Sequence, residues 1–307
     1  MKRAWRWLAL AGLLAGVLAA LLSSAAPSRP ENDFHFSILG DRSGGTNPEV
    51  YERVWREMAL LGPKFVINVG DTIPGTNDAQ AAWQWAEVAR VWERYQQVPL
   101  YLTPGNHDIW NETSLELYRK VSGRPPYYSF DYQNAHFTVL DHRLSRELSD
   151  EQLRFLEADL KQHRDRAPKF VFFHVPYWLV FLKLGSGEFP LHRMCRAYGV
   201  NYVISGHGHD FVRLERDGIV YLEVGSSGAG LARRLPGGQD FAQGRFYHHV
   251  WVQVRGPKAH LTVKELDGPY GKGRLFRTEL WGPDGPRFDP ADPARAELTA
   301  EPASEGK

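Results

Sequence analysis

The chain has 307 residues, 43% of them hydrophobic, which is enough for one large domain with a buried core and excludes a disordered chain. Its 37 Lys and Arg residues nearly balance its 36 Asp and Glu residues, and the net charge of +1 argues against a protein that attracts nucleic acid by bulk charge. Cys195 is the single cysteine, so no intramolecular disulfide can form.

The first 26 residues have the layout of a targeting segment. Lys2 and Arg3 precede an apolar stretch over residues 7–22, and small residues suited to cleavage follow it. This order predicts a secretory signal peptide over residues 1–26, with an uncleaved membrane anchor as the alternative. In both cases the folded domain is expected outside the cytoplasmic membrane, in the periplasm or the extracellular medium. Residues 27–33 are predicted to form a linker.

From residue 34 onward, strands and helices alternate. Short apolar runs bounded by glycine or polar residues predict five buried strands. These are Phe34–Leu39, Phe65–Val69, Leu100–Leu102, Phe170–Phe173 and Tyr202–Ile204. Helices are predicted over residues 47–61, 80–95, 114–121, 149–163 and 191–198, with Asn47, Ser114 and Ser149 as expected caps. The apolar segment 176–190 is predicted to be a loop above the strand ends.

Turn signals favour antiparallel hairpins around Gln133, Asp217 and Gly256. Alternating βα units followed by antiparallel strands predict an α/β domain over residues 34–270, with two mixed β-sheets packed face to face and flanked by helices. Residues 271–307 are rich in Pro, Gly and charge, and we expect them to form an extended, partly disordered tail.

Every one of the five predicted strands leads into a residue that can bind a metal ion. The donors are Asp41, Asp71, Asn106, His174, His207 and His209. Because parallel strands bring their C-terminal ends to one edge of a sheet, we expect these side chains to converge. Neighbouring carboxylates need a cation between them, and mixed oxygen and imidazole donors suit Mn, Fe or Zn. Two such ions bind phosphate oxygens and lower the pKa of a bound water to about 7.

These residues occur in motifs that resemble those of a known family. The motifs are, in order, Gly40-Asp41, Gly70-Asp71, Gly105-Asn106-His107-Asp108, His174 and Gly206-His207-Gly208-His209. Over roughly residues 34–265 they resemble the calcineurin-like metallophosphoesterases. The resemblance implies a centre of two divalent or trivalent metal ions bridged by Asp71. It places Asp41 and His209 on a first ion, and Asn106, His174 and His207 on a second ion.

The resemblance also implies roles for the rest of the motifs. His107 is expected to protonate the leaving oxygen or to stabilise charge on the phosphoryl group. Asp108 is a candidate to hydrogen-bond His107 and fix its tautomer. Gly206 and Gly208 are expected to permit the turn that lets both neighbouring histidines face the ions.

The first motif departs from the family pattern. The family usually has Asp-x-His there, whereas this chain has Asp41-Arg42-Ser43, and serine is a poor ligand for these ions. The first ion is therefore expected to bind weakly, to keep an extra water or to take a ligand from elsewhere. His142 is a candidate replacement, against the alternative of an ordinary surface or core histidine. Arg42 is either a phosphate contact or a solvated loop arginine.

The sequence as a whole predicts an exported, metal-dependent hydrolase of phosphate monoesters or diesters. Hydroxide formed at the ions would be the nucleophile and His107 the leaving-group acid. The expected substrate is a phosphorylated small molecule or ester, without nucleic-acid binding. The alternative is a degenerate relative that binds phosphate or a partner without turnover, as the loss of the first-motif histidine would allow. A nuclease with the same metal centre is disfavoured by the balanced charge.

Overall fold

The computed structural model describes residues 31–143, 147–185, 188–231, 241–266 and 273–290. Among these residues the strands in chain order are β1 (Asp33–Leu39), β2 (Val66–Asn68), β3 (Leu100–Tyr101), β4 (Tyr128–Tyr132), β5 (Ala135–Val139), β6 (Lys169–Phe172), β7 (Tyr202–Ser205), β8 (Phe211–Arg216), β9 (Ile219–Val224), β10 (Tyr247–Arg255), β11 (Lys258–Leu266), β12 (Leu275–Arg277), β13 (Trp281–Gly282) and β14 (Gly285–Pro286). All five strands expected before the metal motifs are present.

The strands form two mixed six-stranded sheets and one small hairpin of β13 and β14. Sheet one has the order β12-β11-β10-β1-β2-β3, in which β1, β2 and β3 are parallel and β10 runs antiparallel to β1. Sheet two has the order β4-β5-β6-β7-β9-β8, with a parallel centre from β5 to β9 and an antiparallel strand at each edge. The expected α/β fold of two mixed sheets is therefore confirmed.

The main core lies between the two sheets. Inward-facing aromatic side chains from both sheets interlock there: the Phe36 ring meets Phe137 edge-on at 5.3 Å and Phe170 at 5.4 Å. These residues are fully buried. Their packing fixes the distance and register between the sheets, because large aromatic rings contribute both buried area and preferred edge-to-face geometry. It thereby sets how the strand ends of one sheet face those of the other.

Helices cover the outer faces of both sheets. They are α1 (Pro48–Leu61), α2 (Asp78–Trp92), α3 (Glu112–Ser122), α4 (Asp150–Gln162), α5 (Trp178–Lys183) and α6 (Pro190–Ala197). One outer cluster of buried residues includes α1 and α2, and a second includes α4 and α6. The expected caps Asn47 and Ser149 each accept a backbone hydrogen bond in the first turn of α1 and α4. These caps satisfy amide groups that a helix N-terminus leaves unpaired.

Two local predictions need correction. Asn111, not Ser114, caps α3; Ser114 lies three residues later and bonds back to Asn111 in a capping box. Within the segment 176–190, expected to be a loop, α5 forms because Trp178 is fully buried and packs against Tyr221 with ring centroids 5.3 Å apart. Its apolar residues thus belong to the outer core of sheet two.

The expected extended tail after residue 271 also differs from the structure where the structure describes it. β12 pairs with β11, and the β13–β14 hairpin follows. Phe276 and Trp281 are buried, stacked on each other at 5.6 Å, and Trp281 meets Phe211 at 5.2 Å. Apolar anchors therefore hold this segment to the domain. Residues 291–307 lie outside the described residues.

The predicted signal peptide or anchor, residues 1–26, and most of the linker also lie outside the described residues. Within the part of the chain that the structure describes, no helix combines the length and the apolar character needed to cross a membrane.

Candidate metal centre

Six predicted donors meet at the C-terminal ends of the strands, where the two sheets face each other. Sheet one contributes three of them after β1, β2 and β3, namely Asp41, Asp71 and Asn106. Sheet two contributes the other three after β6 and β7, namely His174, His207 and His209. Each sheet thus supplies half of the set, as the order of strands and motifs predicts.

The donors expected for the second ion are the closest. His174 Nε2 lies 3.2 Å from Asp71 Oδ2, 3.1 Å from Asn106 Oδ1 and 3.2 Å from His207 Nδ1. The donor atoms of Asp71, His174 and His207 all lie within 4.8 Å of one another. The side chains thus point their nitrogen and oxygen donor atoms at one small volume. This is the arrangement that a cation coordinated by oxygen and nitrogen needs.

The donors expected for the first ion lie beside this group. His209 Nε2 is 3.5 Å from Asp41 Oδ2, and the backbone N–H of His207 donates to the same oxygen at 2.9 Å. Asp41 is fully buried, and its other oxygen, Oδ1, has no hydrogen-bond partner among the described residues. A buried, unpaired carboxylate oxygen is costly unless a cation or a proton compensates it.

Backbone carbonyl groups orient two of the rings. His174 Nδ1 lies 2.8 Å from the Val69 oxygen, and His209 Nδ1 lies 2.5 Å from the Gly230 oxygen. Because a carbonyl oxygen only accepts, Nδ1 carries the proton in each ring, and Nε2 is left to face the carboxylates. Such hydrogen bonds fix the tautomer and orientation of histidines that bind metals.

Burial and mutual charge perturb these groups strongly. Burial raises the pKa of Asp41 well above its usual value, and the neighbouring carboxylate of Asp71 raises it further. Burial alone would raise the pKa of Asp71 and lower that of His174, but their mutual attraction wins, moving Asp71 to a pKa of about 2 and His174 to about 10. Burial lowers the pKa of His207 to about 4, so its ring is neutral at pH 7, the form that binds metals.

The residues present therefore fit a pair of metal ions. Nitrogen and oxygen donor atoms lie close together, Asp41 Oδ1 has no hydrogen-bond partner among the described residues, and backbone carbonyl groups hold the His174 and His209 rings with Nε2 toward the carboxylates. Cations of charge two or three would balance Asp41 and Asp71 and take the lone pairs of the imidazoles. Asp71 contacts His174 among the donors expected for the second ion, and its backbone oxygen accepts from the N–H groups of Arg42 and Ser43, which follow Asp41.

The backbone at three donor positions is unusual. Asp71, His207 and His209 all have positive φ, at 52°, 78° and 62°. Residues with a Cβ rarely adopt this left-handed region, and strain of this kind gathers at functional sites. His207 and His209 themselves therefore make the turn that was expected of Gly206 and Gly208.

Gly206 and Gly208 serve another purpose than the expected one. A Cβ atom on Gly206 would lie 2.2 Å from Asp41 Oδ1, and one on Gly208 would lie 1.9 Å from Glu223 Oε1. Both glycines are needed because the backbone approaches a carboxyl group closely. The expectation that they supply the turn is wrong in its mechanism.

His107, the histidine of the predicted catalytic motif, is partly accessible, with 30% of its side chain exposed. Its Nδ1 lies 2.5 Å from the Pro74 carbonyl oxygen, and its Nε2 lies 3.9 Å from Asp71 Oδ2. The tautomer is therefore fixed by a backbone carbonyl, with Nε2 turned toward the metal donors.

Asp108 does not hydrogen-bond His107 as expected. Its Oδ1 accepts from the backbone N–H groups of Thr72 and Ile73 at 2.8 and 3.2 Å, and its Oδ2 accepts from Gly105 N–H at 2.9 Å. Asp108 is fully buried and joins the loop after β2 to the loop after β3. It supports the loops that carry Asp71 and Asn106, and the proposed catalytic contact of Asp108 with His107 is absent.

Arg42 is neither a phosphate contact nor a solvated arginine. It is 4% exposed, donates to the Thr72 carbonyl oxygen at 3.1 Å, and pairs with Glu87 at 3.4 Å. Its guanidinium also lies over the Tyr51 ring at 5.4 Å. The side chain is turned into the domain, where it ties the first two motif loops to α2.

Ser43 and His142, the two residues considered for the incomplete first site, are both buried. Ser43 is fully buried, and its hydroxyl oxygen has no hydrogen-bond partner in the described ranges. His142 packs against the rings of Phe173 and Tyr177, at 5.7 and 4.8 Å. Burial lowers the pKa of His142 to about 4, and the charges of His174 and His207 lower it further. His142 is a core histidine.

Two partners were missed from the sequence. The Pro74 carbonyl that orients His107 gives no sequence signal, because any residue has a carbonyl group. Glu223 does give one: it is a carboxylic acid within the otherwise apolar strand Ile219–Val224, and it lies directly beneath Gly208. A polar residue in a buried strand deserves a search for its partner.

Known proteins resemble this chain in sequence and in fold. Purple acid phosphatase 15 of Arabidopsis thaliana is 26% identical over 168 residues, covering 45% of this chain and 32% of that protein. The serine/threonine-protein phosphatase CPPED1 of Rattus norvegicus is 28% identical over 174 residues, covering 48% of this chain and 54% of that protein. The chain thus spans between a third and about half of these relatives' lengths.

A similar fold is found over more of the chain than the sequence similarity covers. A solved structure of GAP50, described as the anchor in the inner membrane complex of Plasmodium, superposes with a TM-score of 0.57 at 13% identity, covering 90% of this chain and 99% of that one. The model of the calcineurin-like phosphoesterase family matches residues 32–211, which include all six donors and His107. This match, more than half of the chain, identifies the protein as a member of the calcineurin-like phosphoesterase family.

Proposed function

We propose that this protein is a metal-dependent phosphoric ester hydrolase that acts outside the cytoplasmic membrane. The observation that carries the proposal is the convergence of Asp41, Asp71, Asn106, His174, His207 and His209 at one edge of the sandwich. Family membership and the phosphatases among its relatives support the same chemistry. The N-terminal sequence supports export, either by a cleaved signal or with a retained anchor.

The donor set would hold two ions, with Asp71 between them. When bound, the ions would supply positive charge for the phosphoryl oxygens and the nucleophilic water. The chain's own contribution is to hold the donors and to place His107 at the open side. With Nδ1–H bonded to Pro74, Nε2 of His107 faces the site, and when both ring nitrogens carry a proton, Nε2–H can give its proton to the departing ester oxygen. The substrate class is a phosphate monoester or diester, and the balanced charge supports small-molecule substrates over nucleic acid.

The alternative is a family member that binds without turnover. It is favoured by the buried Ser43 at the position where the family usually has a histidine. The fold is also used by a protein described as an anchor. Against it, His107 remains exposed and aimed at the donors, and a binding protein has no use for a leaving-group acid. The enzyme is therefore the better-supported function.

A substrate panel separates the two functions. The full chain is loaded with Mn²⁺, Fe²⁺ or Zn²⁺ and assayed with p-nitrophenyl phosphate, bis-p-nitrophenyl phosphate and a phosphoserine peptide. We expect hydrolysis that a chelator abolishes and that added metal restores. The variant Asp71→Asn, prepared in parallel, controls for a contaminating phosphatase. A folded, metal-loaded protein with no turnover on any of these substrates would favour the binding function.

A further inference from the structure

A buried carboxyl group lies beneath the loop that carries His207 and His209. Glu223 is the fifth residue of β9, its Cα partners are Ser205 on β7 and Val212 on β8, and its side chain is 2% exposed. Its Oε1 has no hydrogen-bond partner within the described part of the chain. Burial raises the pKa of Glu223 to about 8. A group so costly to bury needs a reason beyond strand pairing.

Its contact with Gly208 supplies that reason. A Cβ at position 208 would lie 1.9 Å from Glu223 Oε1 and 3.3 Å from Oε2, so the carboxyl group occupies the room of a side chain there. Gly208 separates His207 from His209, and both histidines have positive φ. The carboxyl group thus packs directly against the turn that joins the two metal donors.

Gly225, the residue that follows β9, packs against the other end of the same turn. A Cβ on Gly225 would lie 2.3 Å from the carbonyl carbon of His209 and 2.2 Å from the Asp210 nitrogen. The opposite end of the turn is held from sheet one, because His207 N–H donates to Asp41 Oδ2. The turn is therefore held between Asp41 on one side and the end of β9 on the other, and its two imidazoles have little freedom.

We propose that Glu223 is a positioning residue for the metal centre, which holds the His207-Gly208-His209 turn in its ligating geometry. The inference rests on the paired-ion centre proposed above. The first ion should depend on Glu223 most, since beyond the bridging Asp71 its donors are Asp41 and His209. The second ion has Asn106, His174 and His207 in addition to Asp71, and should be affected less.

The test measures ion binding directly. Metal-free wild type and variants are titrated with Mn²⁺, and the binding heat and the electron paramagnetic resonance spectrum of the loaded protein are recorded. Glu223→Ala should lower the affinity of the weaker ion by about tenfold or more, the usual cost of losing a residue that supports a metal ligand. The spectral coupling between two Mn²⁺ ions should weaken with it. Glu223→Gln, which keeps size and an acceptor oxygen, should stay within about twofold of wild type.

Two further variants separate positioning from a general loss of structure. Glu215→Ala removes a glutamate with an exposed side chain from the adjacent strand and should bind Mn²⁺ like wild type. Gly208→Ala should itself weaken binding, because the new methyl group collides with Glu223. In Glu223→Ala/Gly208→Ala the methyl group fills the vacated space, so the double variant should lose less affinity than the two single losses combined. This comparison holds even where Glu223→Ala alone folds poorly.

The outcomes are distinct. Unchanged Mn²⁺ affinity and coupling in folded Glu223→Ala, or strictly additive losses in the double variant, would overturn the inference while leaving the hydrolase function standing. Wild type that binds two ions without turning over any ester would instead overturn the function, and the variants would still decide the role of Glu223. Wild type that binds none of Mn²⁺, Fe²⁺ and Zn²⁺ would overturn both.

Discussion

At the scale of single residues, Asp71 makes contacts with two neighbouring motif loops and with His174. Its Oδ1 accepts from the backbone N–H of His107 at 2.9 Å, and its Oδ2 faces His174 at 3.2 Å. Its own backbone oxygen accepts from the N–H groups of Arg42 and Ser43. One side chain and one peptide group therefore connect the loops of the first three motifs.

Asp71→Ala should abolish ion binding and hydrolysis together, because both ions lose a ligand and the remaining donors no longer balance their charge. Metal content by mass spectrometry after dialysis, measured beside activity, checks this. Asp33→Ala, a change at the exposed start of β1, is the control and should keep both. Retention of two ions in Asp71→Ala would remove the bridging role.

His107→Ala should keep both ions but lower kcat by roughly 10²- to 10⁴-fold, the range expected for loss of general acid catalysis. The expected loss is smaller for esters with good leaving groups, such as nitrophenol, than for alkyl esters, because a good leaving group needs less protonation. Steady-state kinetics on the two ester types, with metal content measured on the same samples, checks this. Equal losses of metal and of activity would contradict the role given to His107.

The sequence predicts the convergence of the six side chains well and their supporting contacts poorly. Each donor follows a strand, so strand order alone brings the six together. Asp108, by contrast, was expected to bond the adjacent His107, but reaches Thr72 and Gly105 instead. That choice depends on the left-handed backbone at Asp71 and on the path of the following loop, neither of which is visible in residue spacing.

At the scale of elements, the N-cap residue of α3 connects this helix to the start of α2. Asn111 accepts from Ser114 N–H at 2.9 Å and donates to Asp78 at the start of α2. Trp110 also donates to Asp78, at 2.8 Å. The N-termini of two helices are thus joined beside the loop that carries His107.

Asn111→Ala should lower the free energy of unfolding by about 1 kcal/mol, the usual cost of losing a side-chain cap. Urea denaturation followed by circular dichroism measures it. Thr113→Ala, an exposed position in the same first turn, is the control and should change the free energy by less than about 0.5 kcal/mol. Equal effects at the two positions would mean that the cap contributes nothing specific.

Long elements with clear caps were predictable, and short ones anchored by distant residues were not. Helices α1 and α4 begin where Asn47 and Ser149 indicate. Helix α5 has only six residues and no side-chain cap, and it exists because Trp178 fits against Tyr221, a contact across 43 positions of chain. The sequence around Trp178 gives no indication of so distant a contact, so the helix could not be predicted from it.

At the scale of the whole molecule, each sheet is a middle layer with one face on the other sheet and one face under helices. His248 and His249 on β10 therefore face opposite sides and are both fully buried. Burial lowers the pKa of His248 to about 4 and that of His249 to about 3. Neither ring nitrogen of His249 has a hydrogen-bond partner among the described residues.

The buried His249 should make the protein less stable in acid. Its folded-state pKa is depressed, so below about pH 6.5 the unfolded chain binds a proton that the folded chain excludes, and stability falls as the pH falls toward 3. Between pH 8 and pH 5 this one group should cost roughly 2 kcal/mol. His249→Leu should therefore flatten the pH dependence of unfolding, measured by urea titration of the metal-free protein. Gln253→Leu, on the same strand and face, changes no titrating group and should keep the wild-type slope.

The division of the metal donors between the sheets has a consequence for assembly. The part of the chain from β4 to β9 supplies three imidazoles, and the part before it supplies two carboxylates and one amide. Neither part holds the full donor set. Binding of two ions would therefore depend on both sheets and would link them at the end where the donors lie.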